Sequence, residues 1–270
     1  MTVIGKHNPL VKEMRCLLDD GGYRREAGRF VLEGARLCAD AAQSGLRFHA
    51  VLATARAMEQ YPAQWALLER IGAAVYEMDE ALADNLTDTK HPQGMFAVCG
   101  MPVMGTEWPR AAEGKRLLAL EDVQDPANLG AIVRTAEALG LAGLVLMGEG
   151  CDPYNPKTLR ASMGGMFRLP LYRADVPALR AAGYRVLACV PDGDAPVIAP
   201  QAGDAYIIGN EGGGVREETI AACDGRVTIP MQGRAESLNA AAAATIVMWE
   251  SQRADFRRQM SDEDAAATRR

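Results

Sequence analysis

Three polar clusters in the second half of the chain carry residue types that can do chemistry. The first runs Glu121-Asp122-Val123-Gln124-Asp125-Pro126-Ala127-Asn128-Leu129-Gly130 and continues to Arg134. Asn128 has the side-chain oxygen of a helix N-cap. Arg134, six residues on, projects from the first part of the same helix. Taken alone, the cluster also reads as a capped helix with a solvated arginine. The second cluster is Ile207-Ile208-Gly209-Asn210-Glu211-Gly212-Gly213-Gly214-Val215. Its glycines let the backbone come close to a ligand, and Glu211 is the embedded carboxylate. No Lys-Ser/Thr follows and the spacing is not G-x-G-x-x-G, so neither common phosphate loop is present. The third cluster is Ile229-Pro230-Met231-Gln232-Gly233-Arg234-Ala235-Glu236-Ser237-Leu238-Asn239, followed by Ala240 to Ala244. Ser237 and Asn239 can cap a helix or face a ligand. The alanines have so little bulk that a ligand or another backbone segment can lie against them.

Such clusters need strands that deliver them to one place. Apolar runs predict strands at 116–120, 143–147, 184–190, 205–208 and 227–229. Helices are expected at 129–139, 156–164, 217–223 and from near Leu238 to about Arg253. Short-range alternation of strand and helix implies a parallel sheet with helices on both faces. Ligands gather at the carboxyl ends of the strands in such sheets, and each of the three clusters follows a strand. The first half alternates too, with strands at 29–32, 48–53, 75–78 and 95–101 and helices at 35–43 and 62–71. The expected organisation is a small α/β domain over 1–102, a linker at 103–114, a catalytic domain over 115–256 and a flexible tail at 257–270.

The chain has 270 residues, enough for a sizeable core. No apolar run is long enough to span a membrane, and the first ten residues lack the shape of a signal peptide. The cytoplasm is the expected compartment. The six cysteines are dispersed with no C-x-x-C pair, and the three histidines stand apart from them. No metal site and no disulfide framework is expected. A net charge of -6 argues weakly against nucleic acid. Binding, however, needs only a local basic face, and Lys12, Arg15, Arg24, Arg25 and Arg29 are candidates for one.

Together the three clusters resemble the motifs of the SpoU (TrmH-like) family of RNA ribose 2′-O-methyltransferases, within the SPOUT class. Asn128, Gly130, Arg134, Thr135 and Ala136 match its first motif. Gly209, Glu211, Gly212 and Gly214 match the second. Ile229 to Met231 with Glu236 to Asn239 match the third. The family commonly has valine after the final asparagine, where this chain has Ala240. Arg160-Ala161-Ser162-Met163-Gly164 also resembles a family segment. Glu33-Gly34 and His91-Pro92-Gln93-Gly94 look like parts of the substrate-binding domain that often precedes the catalytic one.

The resemblance implies a C-terminal domain tied in a deep trefoil knot, an exception to the rule that chains avoid knots. It implies S-adenosylmethionine as cofactor, held by Gly209, Asn210, Gly212, Ile229, Met231 and Leu238. Asn128, Arg134, Glu211, Ser237 and Asn239 become the catalytic candidates. Arg134 would assist deprotonation of the ribose hydroxyl or stabilise the developing alkoxide. The implied partners are RNA, ribosomal RNA ahead of transfer RNA, and a second copy of the chain. The competing readings are a nucleotide-dependent enzyme on an unknotted α/β sheet and a non-catalytic RNA-binding protein.

Overall fold

A computed structural model describes residues 1–87, 89, 92–105, 116–196, 201 and 203–267, in two compact units. Most of the expected linker, together with His91 and residues 268–270, lies outside the described residues.

The first half holds β1 (Thr2–Val3), α1 (Pro9–Asp19), α2 (Gly21–Ala27), β2 (Arg29–Glu33) and α3 (Ala35–Gln43). It continues with β3 (Phe48–Ala53), α4 (Ala55–Gln60), α5 (Pro62–Glu69), β4 (Ala74–Glu77), α6 (Glu80–Asn85) and β5 (Met95–Gly100). The sheet order is β1-β4-β3-β5-β2. β5 runs antiparallel to both β2 and β3, and the other pairings are parallel. Helix α1 was not expected, yet its start has a local cause. The Asn8 side chain accepts from the Leu10 amide at 2.9 Å, and Pro9 occupies the first helical position. Val11, Met14 and Leu17 then fall on one buried face.

The second half holds β6 (Leu117–Glu121), α7 (Pro126–Ala138), β7 (Leu144–Met147), α8 (Pro156–Ser162), β8 (Leu171–Arg173) and α9 (Val176–Ala181). It ends with β9 (Arg185–Cys189), β10 (Ala195–Pro196), β11 (Asp204–Ile208), α10 (Glu217–Ala222), β12 (Gly225–Thr228) and α11 (Ala240–Ala267). Seven strands form one sheet in the order β10-β12-β9-β11-β6-β7-β8, parallel throughout. The expected parallel α/β sheet is present. β8 and β10 are additions, too short at three and two residues for an apolar period to show. Two boundaries differ from expectation. Asp125 rather than Asn128 caps α7, accepting from the Ala127 amide at 2.9 Å, with Pro126 opening the helix. Helix α11 runs past Arg253 to Ala267, through alanines that favour helix.

The stretch Asp152–Arg168, which carries α8, packs within the first unit although it lies inside the 115–256 read from sequence as one domain. Its ties there are specific. Asp152 meets the buried Arg24 at 2.6 Å, and Tyr154 lies 4.8 Å from Phe30 between ring centroids. Arg24 also donates to the carbonyls of Leu17 and Leu18. It is therefore a structural cation, and the expectation that it touches RNA phosphate does not hold. Arg29 pairs with Glu13 at 2.8 Å, whereas Lys12, Arg15 and Arg25 are exposed.

At the end of β6, Glu121 is fully buried. It accepts from Arg216 Nη2 at 2.8 Å, from the Arg216 amide at 2.8 Å and from Thr219 Oγ1 at 2.5 Å. This fixes the start of α10 beside β6, and so fixes the far end of the glycine-rich loop. Arg216→Met takes the guanidinium from the buried Glu121 carboxylate, which keeps the residue-216 amide and Thr219 Oγ1 as donors, and is expected to lower stability. Urea unfolding of the whole chain checks this, and an unchanged midpoint would count against a stabilising role for the ion pair.

Candidate active site

The carboxyl ends of β12, β9, β11 and β6 stand side by side because these four strands are consecutive and parallel in the sheet. A cavity of about 290 Å³ opens there, walled by the ends of β9, β11 and β12 and the start of α11. The glycine-rich loop is a tight turn. Asn210 and Gly214 exchange two backbone hydrogen bonds of 2.9 Å, and Asn210 Oδ1 accepts from the amides of Gly212 and Gly213. Asn210 Nδ2 donates to the Asp122 carbonyl at 2.8 Å, tying the turn to the loop after β6. Gly209 cannot be replaced cheaply. A Cβ there would lie 2.1 Å from the Gly214 carbonyl carbon and 2.2 Å from the Val215 amide nitrogen.

Glu211 makes the second tie. Its carboxylate accepts from the amides of Gln124 and Asp125, each at 3.1 Å, and from Asn128 Nδ2 at 2.9 Å. Asn128 Oδ1 in turn accepts from Asn239 Nδ2 at 3.0 Å. Asn239 Oδ1 accepts from the amides of Ala241 and Ala242, capping α11. One run of hydrogen bonds thus joins all three polar clusters. Desolvation would raise the Glu211 carboxyl. Hydrogen bonds from Asn128 and from the amides of Gln124, Asp125 and Glu211 itself outweigh it and hold the group below its ordinary value.

All six residues expected to hold a cofactor line the cavity: Gly209, Asn210, Gly212, Ile229, Met231 and Leu238. Among the catalytic candidates, Glu211 and Ser237 line it as well. Among the described residues the Ser237 hydroxyl makes no protein hydrogen bond. Asn128 is buried and bonds to the wall through Glu211, and the exposed Asn239 bonds to Asn128 without lining the cavity. Asn128 is therefore not the helix cap that its sequence position suggested. Arg134 is exposed on α7 and is not among the lining residues. Ala240 and Ala243 line the cavity, in keeping with the close approach expected of the alanine run. Sequence reasoning missed Cys189, Val190, Pro191 and Thr228, which close the β9 and β12 side. The signal was available, because Val190-Pro191-Asp192-Gly193 is a fourth turn after a predicted strand. Among the described residues, no group of His, Cys, Asp or Glu could hold a metal ion.

The comparisons with known proteins agree with this geometry. The family model described as the SpoU rRNA Methylase family matches residues 115–249. This chain belongs to that family. An MRM3-like substrate binding domain model matches residues 8–97. Relatives of this SpoU-family chain include the 23S rRNA guanosine 2′-O-methyltransferase RlmP of Bacillus subtilis, 36% identical over 66% of this chain and 72% of that one. A 23S rRNA uridine 2′-O-methyltransferase of Streptomyces viridochromogenes is 31% identical over 93% and 91%. Among solved structures, an AdoMet-bound rRNA methyltransferase from Sinorhizobium meliloti superposes with a TM-score of 0.80 at 30% identity, over 94% of this chain and 97% of that one. AviRb from Streptomyces viridochromogenes, in complex with AdoMet, gives 0.80 at 29% identity over 93% and 99%.

The depressed Glu211 pKa fixes the sign of a pH effect. A lowered folded-state value contributes stability that is present above the unfolded value, near 4.3, and lost as pH falls through the folded one. The stability difference between the wild type and Glu211→Gln is expected to be constant from about pH 8 to about pH 5 and to close below about pH 4. Denaturation series across pH check this. A difference that instead closes on going to high pH would show the opposite shift.

Proposed function

We propose that this protein is an S-adenosylmethionine-dependent RNA methyltransferase acting on a ribose 2′-hydroxyl, with ribosomal RNA as substrate class ahead of transfer RNA. One observation carries the reading: the second and third SpoU motifs line a single cavity on the carboxyl ends of a parallel sheet, and Asn128 of the first is hydrogen-bonded to Glu211 in its wall. The relatives' names supply the reaction class, since RlmP and the Streptomyces enzyme are 23S rRNA 2′-O-methyltransferases.

The cavity residues suit the cofactor. The bare backbone at Gly209 leaves amides and carbonyls for an adenine edge, and Ile229, Met231 and Leu238 offer apolar faces for its ring. When bound, S-adenosylmethionine supplies an electrophilic methyl group. The chain's own residues orient and stabilise. Glu211 is ionised at neutral pH and committed to three hydrogen bonds, so it positions the wall and is a poor proton acceptor. Asn128 and Asn239 hold that wall in register. Ser237 offers its hydroxyl at the cavity, to the RNA phosphate or to the loop. Arg134 acts by the fixed charge of a guanidinium, stabilising the alkoxide that develops on the ribose oxygen.

The first unit selects RNA in this reading, in keeping with the substrate-binding model that matches it. The trefoil knot belongs to the proposal as well. It is supported by the sheet order, in which β9 lies between β11 and β12, two strands that follow one another in the chain. Two copies are expected to pair through α11, whose exposed side carries Ile246 and Trp249, 37% and 47% exposed. No helix among the described residues is long and apolar enough to cross a membrane, and the cytoplasm is the proposed compartment.

Three outcomes test the reading. Arg134→Ala is expected to slow single-turnover methyl transfer to ribosomal RNA by about a hundredfold while calorimetry shows unchanged cofactor affinity. Transfer near the wild-type rate would remove Arg134 from the chemistry. Gly209→Ala is expected to weaken S-adenosylmethionine binding by more than about tenfold, equivalent to about 1.4 kcal/mol. Sedimentation at micromolar concentration is expected to give a dimer, and a monomer would refute the pairing through α11.

A further inference from the structure

Three segments singled out in the sequence take no part in the cavity just described. They are Glu33-Gly34, Gln93-Gly94 and Arg160 to Gly164. In the first unit they converge, and Glu33, Gly34, Gln93, Arg160 and Met163 line a second cavity of about 270 Å³.

Its construction is specific. Glu33, at the end of β2, is nearly buried and accepts from the hydroxyls of Thr87 and Thr89 and from Arg160 Nη1 at 3.2 Å. The carboxylate is thereby committed to the protein and holds Arg160 at the cavity. Gln93 Oε1 accepts from the Ala35 amide at 2.8 Å, at the start of α3, which leaves the Gln93 amide nitrogen as a donor. Gly34 has φ +105°, a conformation closed to residues with a side chain. Arg36 and Asp40 add a cation and a carboxylate, and Leu37 adds an apolar surface.

Met163 is the telling residue. It caps α8 in the left-handed region, with φ 49° and ψ 42°, and is still 40% exposed. A long side chain in that conformation is strained, and such strain clusters where a side chain has a task. A thioether is soft and packs well on aromatic rings. The cavity therefore combines an apolar surface for a ring, a donor and an acceptor for its edge, and two guanidinium groups for a phosphate.

We infer that this cavity holds one unpaired nucleotide of the RNA substrate, its base against Met163 and Leu37, its edge read by Gln93 and Asp40 and its phosphate held by Arg36 and Arg160. This recognition of a splayed base on a soft or aromatic surface with flanking cations suits single-stranded RNA. The inference rests on the RNA reading given above. It adds a specific anchoring site in the first unit, where a bound nucleotide would fix the register of the RNA.

The test titrates fluorescein-labelled single-stranded oligo(A), oligo(U), oligo(C) and oligo(G) of about twelve nucleotides with the full chain. Met163→Gly suits the left-handed backbone and so preserves folding. It is expected to weaken binding by about fivefold or more without changing its salt dependence. Arg36→Ala is expected to weaken binding and also to reduce the slope of log affinity against log salt by about 0.7. Both variants should retain wild-type affinity for S-adenosylmethionine. Wild-type affinity for every oligonucleotide in both variants would overturn the inference, leaving the methyltransferase reading intact if ribosomal RNA is still methylated. A wild type that binds free 5′-nucleotides as tightly as the oligonucleotides would overturn it in favour of a mononucleotide site. A wild type that binds no oligonucleotide would overturn it too, and if it also methylates no RNA the functional reading falls with it.

Discussion

The Glu211 carboxylate is the fastening on which the catalytic unit's geometry depends. Two backbone amides of the loop after β6 and one side-chain amide from α7 converge on it. Hydrogen bonds to a charged acceptor are stronger than neutral ones, so one side chain can hold two loops that have few apolar contacts of their own. Through Asn128 the fastening extends to Asn239 and the first turn of α11. The cavity wall is therefore set by a hydrogen-bonded relay rather than by packing. Beneath it, Glu121 and Arg216 perform the same service at the other end of the loop, with the carboxylate buried and the guanidinium half in solvent.

Much of this was readable from the chain, and the failures have physical causes. Strands such as Ala205 to Ile208 announce themselves as short apolar runs before glycine, and the parallel sheet follows from their spacing. Asn128 misled because its residue type is right for a cap. Asp125 three residues earlier is equally good, and Pro126 directly after it fixes the helix start there. The side chain of Asn128 was thus free for a contact 83 residues away, which no local rule reveals. The β9 and β12 walls of the cavity were missed because Val190 and Pro191 carry no reactive group and the Cys189 thiol and Thr228 hydroxyl stand in no recognisable motif. Arg24 shows the converse error. Its charge suggested a surface role, and only Asp152, 128 residues on, explains why it is buried.

Continuity in sequence and continuity in space also part company here. The family match spans residues 115–249 without a break, yet residues 152–168 within it complete the core of the other unit. Phe30 meets Tyr154 and Phe167 there, so the first unit's hydrophobic centre depends on aromatic residues from the far side of the chain. The first unit is consequently not an autonomous module that could be excised at the linker.

The cavity's walls are drawn from positions 189–191, 208–214, 228–231 and 237–243. Its last wall is supplied by the beginning of α11, which is synthesised after every strand of the sheet. The pocket is not complete on a ribosome-bound chain until residue 243 has emerged. A fragment terminated before α11 could carry the first unit and much of the parallel sheet, but not the complete cavity.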